Sequence, residues 1–264
     1  LSEKTVFIDY QDNHSSIEYD TLANSEKELL YFKHLSWDTD FFGRPCYLLD
    51  LSKSRFTPSE NIKLQIEREF KDSFITAKID TGIDFSIIYF LQQCGFYYID
   101  TEVELKLTEK VPFKPADERI RCEEKFINND LPYEELGSVF ELTRFHTEPH
   151  IADSKADTLW VNYLKTYKPT PNNRIFVAYY DNEPCGVILS NTEDNRTVVF
   201  FVSVLNRFQN KKIGSAIMQY SLEKLEANNI YTETQVKNPN ALNFYIKNGF
   251  CFVSKTMTVL HRWN

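Results

Sequence analysis

Three stretches in the second half of the chain hold residues whose types and spacing could do chemistry. The first runs from Val202 through Ser203, Val204, Leu205, Asn206, Arg207, Phe208, Gln209, Asn210, Lys211, Lys212, Ile213 and Gly214 to Ser215. An alternating apolar run gives way there to a polar turn and then to a helical pattern. A turn of that kind leaves several main-chain N–H groups unpaired at the positive end of a helix dipole, which suits a pyrophosphate. Gly214 and Ser215 present little side chain, so a ligand could approach the backbone closely. Arg207, Lys211 and Lys212 add positive charge. The same segment also reads as a loop with solvated lysines. The second stretch runs from Asn238 through Ala241, Phe244 and Tyr245 to Gly249 and Phe250. The phenol of Tyr245 could give a hydrogen bond or a proton, and it could equally be an aromatic on the core face of a short helix. The third stretch, 143–153, places Arg144, His146 and His150 close together, with Glu148 and Asp153 as further titratable groups. Two histidines and an arginine could bind an anionic substrate or relay a proton near neutrality, or could simply line a polar loop between helices. The run 197–205 contains no Asp or Glu, which excludes a carboxylate base from that strand.

Strands and helices must hold these residues in place. Period-two patterns predict strands over 174–180, 184–191 and 197–205, the first two joined by a turn at Asp181-Asn182-Glu183. From Lys212 to about Asn228, Ile213, Ile217 and Tyr220 make one apolar stripe, and Met218, Leu222 and Leu225 a second, which predicts a long helix. A strand over 230–236 follows, then a helix over 239–247 with Pro239 in its first turn and Gly249 just past its end. Strands over 250–253 and 256–260 close the chain. Earlier in this half, a strand over 119–124 precedes helices over 134–145 and 156–164. In the first half, strands fall over 46–51, 74–79 and 97–107 and helices over 59–71 and 84–93. Mixed strands and helices, with hairpins before the long helix, predict an α+β fold with a mixed sheet. Lys110-Val111-Pro112-Phe113-Lys114-Pro115 reads as a linker, since its prolines fit neither a central strand nor a helix interior, and it divides the chain into domains 1–112 and 113–264. Phe90-Leu91-Gln92-Gln93-Cys94-Gly95-Phe96 lines up with Phe244-Tyr245-Ile246-Lys247-Asn248-Gly249-Phe250, each between two strand patterns, which suggests an internal duplication.

Bulk properties narrow the partners. A net charge of −8 argues against a nucleic-acid partner, because proteins that bind phosphate backbones carry a basic surplus. The cysteines Cys46, Cys94, Cys122, Cys185 and Cys251 are scattered, with no CxxC pair, which argues for reduced thiols and against both a disulfide framework and a zinc site. No metal is therefore expected. The opening residues lack a basic region followed by an apolar core, and no apolar run approaches the roughly 20 residues of a membrane span. A cytoplasmic location is expected.

The first two stretches, taken as an ordered pair, resemble the GCN5-related N-acetyltransferase (GNAT) family. That family has a Q/R-x-x-G-x-G/A loop after a strand and a later N-x-x-A-x-x-x-Y-x-x-x-G-F signature. Gln209, Ile213 and Gly214 fit the first pattern, with Lys212 standing where the middle glycine is usual, and the second pattern matches at every position. The resemblance implies a mixed, mostly antiparallel GNAT sheet flanked by helices, preceded by a smaller, degenerate GNAT-like domain. It implies acetyl-CoA as cosubstrate, its pyrophosphate held by Gln209, Asn210, Lys211, Lys212, Ile213, Gly214 and Ser215. Val202 and Val204 would pair with the pantetheine arm, Asn238 would hydrogen-bond it, and Phe244 would help to hold it. Tyr245 would act at the leaving thiol, and Arg144, His146 and His150 would contact the acceptor. Trp37-Asp38-Thr39-Asp40-Phe41-Phe42-Gly43 resembles the W-D-x-x-F-F-G entry of the two-domain dTDP-fucosamine acetyltransferases. That implies a dTDP-4-amino-4,6-dideoxyhexose acceptor, used in surface polysaccharide synthesis. Another small amine or a peptide N-terminus, or a non-catalytic acyl-CoA-binding module, would fit the same fold, and the chain could also pair with a second copy of itself.

Overall fold

The alternation read over 197–205 forms a strand in which Thr197, Val199, Phe201 and Ser203 are buried and the intervening residues are half-buried. The computed structural model describes residues 5–7, 17–25, 28–82, 85–193, 195–225 and 229–264. In chain order its strands are β1 (Thr5–Phe7), β2 (Ile17–Ser25), β3 (Glu28–His34), β4 (Cys46–Arg55), β5 (Phe74–Asp80), β6 (Tyr97–Leu107), β7 (Ile120–Lys125), β8 (Asn173–Tyr180), β9 (Glu183–Glu193), β10 (Arg196–Val204), β11 (Asn229–Gln235) and β12 (Phe250–Trp263). The helices are α1 (Ser36–Phe42), α2 (Glu60–Glu69), α3 (Phe85–Gln93), α4 (Tyr133–Gly137), α5 (Arg144–Thr147), α6 (Asp153–Thr166), α7 (Ile213–Lys224) and α8 (Pro239–Lys247).

These elements form two compact units, Leu1–Glu102 with Lys255–Asn264, and Val103–Ser254. In the second unit the strands run in the order β6-β11-β10-β9-β8-β7, all antiparallel from β10 outward, with β10 and β11 parallel. Asp181 and Asn182 both take positive φ, 50° and 66°, the turn that matches the twist of the β8–β9 hairpin. One core cluster joins Ile175, Val177, Val187 and Leu189 of the sheet to Ile213, Ile217 and Leu222 of α7 and to Tyr245 and Phe250. Adjacent residues of a strand point to opposite faces. Ser203 donates to Leu136 O in α4 at 2.7 Å, while Val204 packs beside Gly214 in α7. The sheet is thus covered by α4 and α6 on one face and by α7 on the other.

The first unit has the order β1-β2-β3-β4-β5-β12, with β4 and β5 parallel. Its core gathers Phe32, Leu49, Ile62, Ile66, Ile75, Phe90, Leu91 and Leu260. The buried Arg262 donates from Nε to Cys94 O at 3.0 Å and from Nη1 to Phe70 O at 2.9 Å, satisfying carbonyls just past the ends of α3 and α2. The expected duplication is visible in the backbone. Each unit has a parallel strand pair, then a helix, a glycine at positive φ (Gly95 87°, Gly249 90°) and a further strand. At Gly249 a Cβ would stand 2.0 Å from Glu109 O, so only glycine fits.

Several elements differ from the sequence expectations. The helix expected over 134–145 is two short helices, α4 and α5; α4 ends at Gly137, the poorest helix former short of proline, which packs where a Cβ would lie 2.5 Å from Val161 N. The two strands expected over 250–253 and 256–260 are one, β12, which pairs with β5 from Met257↔Asp80 to Trp263↔Phe74. The long helix ends at Lys224, and the expected stretch 226–228 lies outside the described residues. The Lys110–Pro115 segment is laid along α7: Phe113 N donates to Glu223 Oε1 at 2.6 Å, and the Phe113 ring meets Tyr220 edge-on at 5.4 Å. Strand pairing, rather than this segment, divides the units. The end of β6 lies beside β11, and the end of β12 beside β5.

A fragment 113–264 would therefore lose β6, the neighbour of β11, and leave the end of β12 without β5. It is expected to be insoluble or to melt well below the full chain, as read by circular dichroism on heating. A fragment as stable as the full chain would show that β6 contributes little to the second unit.

Candidate functional site

The parallel ladder between β10 and β11 is short. It pairs Arg196 with Asn229, Thr197 with Ile230 and Val198 with Tyr231, and then ends, although β10 continues to Val204 and β11 to Gln235. The register with β9 shifts between Val199 and Phe201, leaving Phe200 as an extra, bulged residue where the strands part. A bulge bends its strand and sharpens its twist, which directs the end of β10 away from β11. From Val199 onward the edge of β10, with Val202 and Val204 on it, is open to an extended ligand.

At the end of β10 the chain makes a 3₁₀ turn at Asn206–Phe208 and enters the loop before α7. Gln209 Nε2 donates to Val204 O at 3.3 Å and to Asn206 Oδ1 at 2.8 Å, tying the loop back to the strand. Asn210 and Lys212 both take left-handed backbone, φ 63° and 62°. Lys212 thus adopts the conformation for which the resembling pattern uses glycine, at the modest cost of a non-glycine residue there. The first helical hydrogen bond is donated by Ala216 N to Lys212 O at 3.0 Å. The N–H groups of Ile213, Gly214 and Ser215 lie ahead of that ladder, at the N-terminus of α7, where they can meet an anion. No acidic residue interrupts 205–222.

The loop's charges are not all available. Arg207 forms ion pairs with Glu135 and Glu183, so its charge is partly neutralised. Lys211 sits over the rings of Tyr180 and Phe208, at 4.8 and 5.0 Å. Gly214 is constrained from behind, since a Cβ there would lie 3.2 Å from the Phe244 ring. Phe244 therefore shapes the loop from α8.

Asn238 caps α8: its Oδ1 accepts from Ala241 N at 3.0 Å, which leaves the amide NH₂ as the group that could reach a ligand. Tyr245, in the last turn of α8, is 6% exposed and packs against Phe244 and Phe250. Burial pushes its phenol up from the ordinary value, and the Thr232 hydroxyl beside it offsets part of the shift. Thr232 is the first residue of β11 beyond the ladder. Its Oγ1 is buried and makes no well-aligned hydrogen bond, so two hydroxyls meet in a dry place where the strands part. Nothing in the alternation of β11 marks Thr232 in the sequence, and it was not among the expected site residues.

The histidine stretch lies beside the start of α8, because Lys237 Nζ donates to Thr147 Oγ1 at 2.6 Å. Both His146 nitrogens have partners, Thr143 Oγ1 at 2.8 Å and Asp157 Oδ1 at 3.1 Å, which makes His146 a fixed residue rather than a free base. His150 Nδ1 meets the fully buried carboxylate of Glu148 at 2.7 Å and is itself half exposed. Arg144 stacks on Phe145, its guanidinium carbon 4.5 Å from the ring centroid. Asp153 stands exposed in the first turn of α6. Among the described residues no group of three His, Cys, Asp or Glu side chains could hold a metal, and no helix is long and apolar enough to cross a membrane. All five cysteines are free.

Comparison with known proteins agrees with this geometry. Residues 139–250 match the model of the acetyltransferase (GNAT) family. An N-alpha-acetyltransferase of Sulfurisphaera tokodaii is 31% identical over 107 residues, covering 34% of this chain and 62% of that protein, so the match spans under two thirds of this relative. A GCN5-related N-acetyltransferase from Kribbella flavida superposes with a TM-score of 0.63 at 13% identity, over 92% of this chain and 89% of the other. A tandem GNAT protein from the clavulanic acid biosynthesis pathway gives 0.56 at 13% identity, over 95% and 80%. The chain has the fold of the GNAT acetyltransferases, and the parted strands, the loop, α7 and α8 all lie within the residues that match that family.

Proposed function

We propose that the chain is an acetyl-CoA-dependent N-acetyltransferase and that its acceptor is the amino group of a nucleotide-linked amino sugar, of the dTDP-4-amino-4,6-dideoxyhexose type. The observation that carries the first part is the parting of β10 and β11 directly ahead of a loop whose N–H groups are unused. An extended pantetheine can add to the open edge of β10 as a further strand would. The diphosphate then meets the N–H groups of Ile213, Gly214 and Ser215. Bound acetyl-CoA supplies an activated acyl thioester. Tyr245 and Thr232 lie where its sulfur would reach between the strands.

Burial of the Tyr245 phenol bears on its role. A phenol near 10 against a thiol near 8.5 already makes proton transfer uphill by about 2 kcal/mol in water, and desolvation of the phenol adds to that. Tyr245 therefore stays protonated and gives a hydrogen bond to the leaving sulfur. An amine on a sugar ring is less basic than lysine, so much of it is neutral at cellular pH, and a water chain can take its proton. The acceptor class rests on the resemblance of Trp37–Gly43. A second reading, acetylation of a peptide N-terminus, is supported by the name of the Sulfurisphaera tokodaii relative. Thiol release from acetyl-CoA with a panel of dTDP-amino sugars and short peptides separates the two. Release with peptides alone would overturn the sugar reading, and release with neither, despite acetyl-CoA binding, would favour a binding module.

Tyr245→Phe is expected to bind acetyl-CoA within a few fold of wild type and to lower turnover by about 10- to 1000-fold, the scale of one such interaction. Near-normal turnover would remove Tyr245 from the mechanism. In the loop, Lys212→Gly should keep or raise the melting temperature, because φ 62° suits glycine, and weaken acetyl-CoA only a few fold. Gly214→Val, forced against Phe244, should weaken it more than about tenfold and cost about 1–3 kcal/mol of stability. Calorimetry giving the opposite ranking would make Lys212 the anchor.

The first unit should not bind the cosubstrate. Leu91, fully buried, stands where Tyr245 stands in the second. The N-terminus of α2 is capped by its own Ser59, whose side chain accepts from Ile62 N, and Glu60 follows. Equilibrium binding should give one acetyl-CoA per chain, and two sites would refute this assignment.

A further inference from the structure

A second place in the second unit gathers cations, away from the loop before α7. Arg196 opens β10, and Tyr231 of β11 forms the last pair of the ladder, with Val198 of β10. The Arg196 guanidinium lies 3.9 Å from the Tyr231 ring centroid, and its Nη2 donates to Glu104 Oε2 at 2.5 Å. Lys106, two residues farther along β6, sets its ammonium 5.5 Å from the same ring. The Glu104 side chain is 6% exposed, whereas that of Arg196 is 41% exposed. A buried carboxylate and an aromatic face thus fix an arginine that makes no other hydrogen bond among the described residues.

As a stabilising device this arrangement has little to offer, because the exposed partner is screened and the buried one is desolvated. As a receptor it is well made. A guanidinium held flat, with N–H groups left over and a second cation beside it, matches the oxygens of a phosphate.

Its position fixes what it could serve. Val198 pairs with Asn191 and Phe201 with Leu189, so the bulge at Phe200 puts Arg196 and Val198 on the same face as Phe201 and Ser203. That is the face covered by α4 and α6, opposite α7. Tyr231 precedes Thr232 by one residue, about 3.3 Å of strand. The cluster therefore stands at the closed end of the parted strands, on the face opposite α7. Glu233 follows two residues beyond Tyr231 on the same face of β11.

We propose that Arg196 and Lys106, oriented by Glu104 and Tyr231, bind the diphosphate of a nucleotide-linked acceptor. This rests on the acetyltransferase reading above and deepens its acceptor class. The polarity agrees with such a molecule: its anionic diphosphate meets the cations at the closed end, and the rest of it extends along the strands towards the opening.

CoA carries a diphosphate too, so the test fills the loop first. dTDP is titrated calorimetrically into full-length protein saturated with CoA, with thymidine as the phosphate-free control. One dTDP site per chain and no binding of thymidine are expected. Lys106→Gln, which touches no buried group, should weaken dTDP by about tenfold, the scale of one charge-assisted contact, and leave acetyl-CoA affinity within twofold. Arg196→Gln alone would strand the buried Glu104, so the double variant Glu104→Gln/Arg196→Gln is used, with a loss of about tenfold or more expected. The proposal falls if dTDP fails to bind the CoA-loaded protein, if it competes with CoA for a single site, or if both variants bind it as wild type does. Should acetyl-CoA not bind wild type at all, the acetyltransferase reading falls instead. The dTDP titrations on ligand-free protein then still decide the diphosphate site.

Discussion

The site depends on one departure from regular sheet structure: β10 and β11 pair for three residues and then separate. Main-chain N–H and C=O groups in a sheet interior are costly to leave unpaired. A parting held in the middle of a sheet therefore needs both a cause and a partner. The cause is local. Phe200 is one residue too many for the ladder with β9, and the bend it imposes turns the end of β10 towards the loop before α7. The partner is whatever pairs with the open edge, and the same bend leads that edge straight to the unused N–H groups of 213–215. A single extra residue thus aligns an edge that suits an extended chain with a helix end that suits an anion.

The first unit shows what the same scaffold becomes without those chemical features. β4 and β5 also pair briefly, from Cys46↔Phe74 to Leu49↔Ala77, and then separate. Beyond β4, Phe56 packs on Phe90, Ser59 caps α2 and Leu91 fills the place of the tyrosine. Apolar side chains and a local cap stand there in the places that the second unit gives to Tyr245 and to the uncapped start of α7. Backbone topology alone does not make the site. It is made by the absence of a side-chain cap on α7, where the N-cap is Lys212 in left-handed conformation, and by a phenol where the other unit has a leucine.

Much of this was legible in the residues. The stripes of α7, the proline and glycine bracketing α8 and the run 97–107 of β6 appear as read, because in each the local pattern and the tertiary environment agree. What was hidden depends on partners distant in sequence. Gly137 packs against Val161 at the end of α4, and β12 is continuous because β5 pairs with it along seven residues. Arg207 reads as a loop cation until Glu135 and Glu183 come into view, and Thr232 reads as an ordinary strand threonine until Tyr245 is placed beside it. Spacing identifies groups that act through their own backbone, and it misses those whose role is assigned by a neighbour on another element.

The exchange of strands gives that last point a chemical consequence. β6 is encoded with the first half of the chain, yet its end completes the sheet beside β11 and brings Glu104 and Lys106 to Arg196 and Tyr231. The loop before α7 and Tyr245 are local to the second half, so every residue argued to hold the cosubstrate lies within 200–250. The charged cluster on the opposite face is not local: half of it comes from β6. A change in the first half that shifts the register of β6 by one residue would turn Glu104 and Lys106 to the other face of the sheet. It would do so without touching any group around the thioester. On the proposed assignments, cosubstrate binding and acceptor recognition draw on separable parts of the chain, so β6 is the element through which acceptor choice would change while the residues of 200–250 stay as they are.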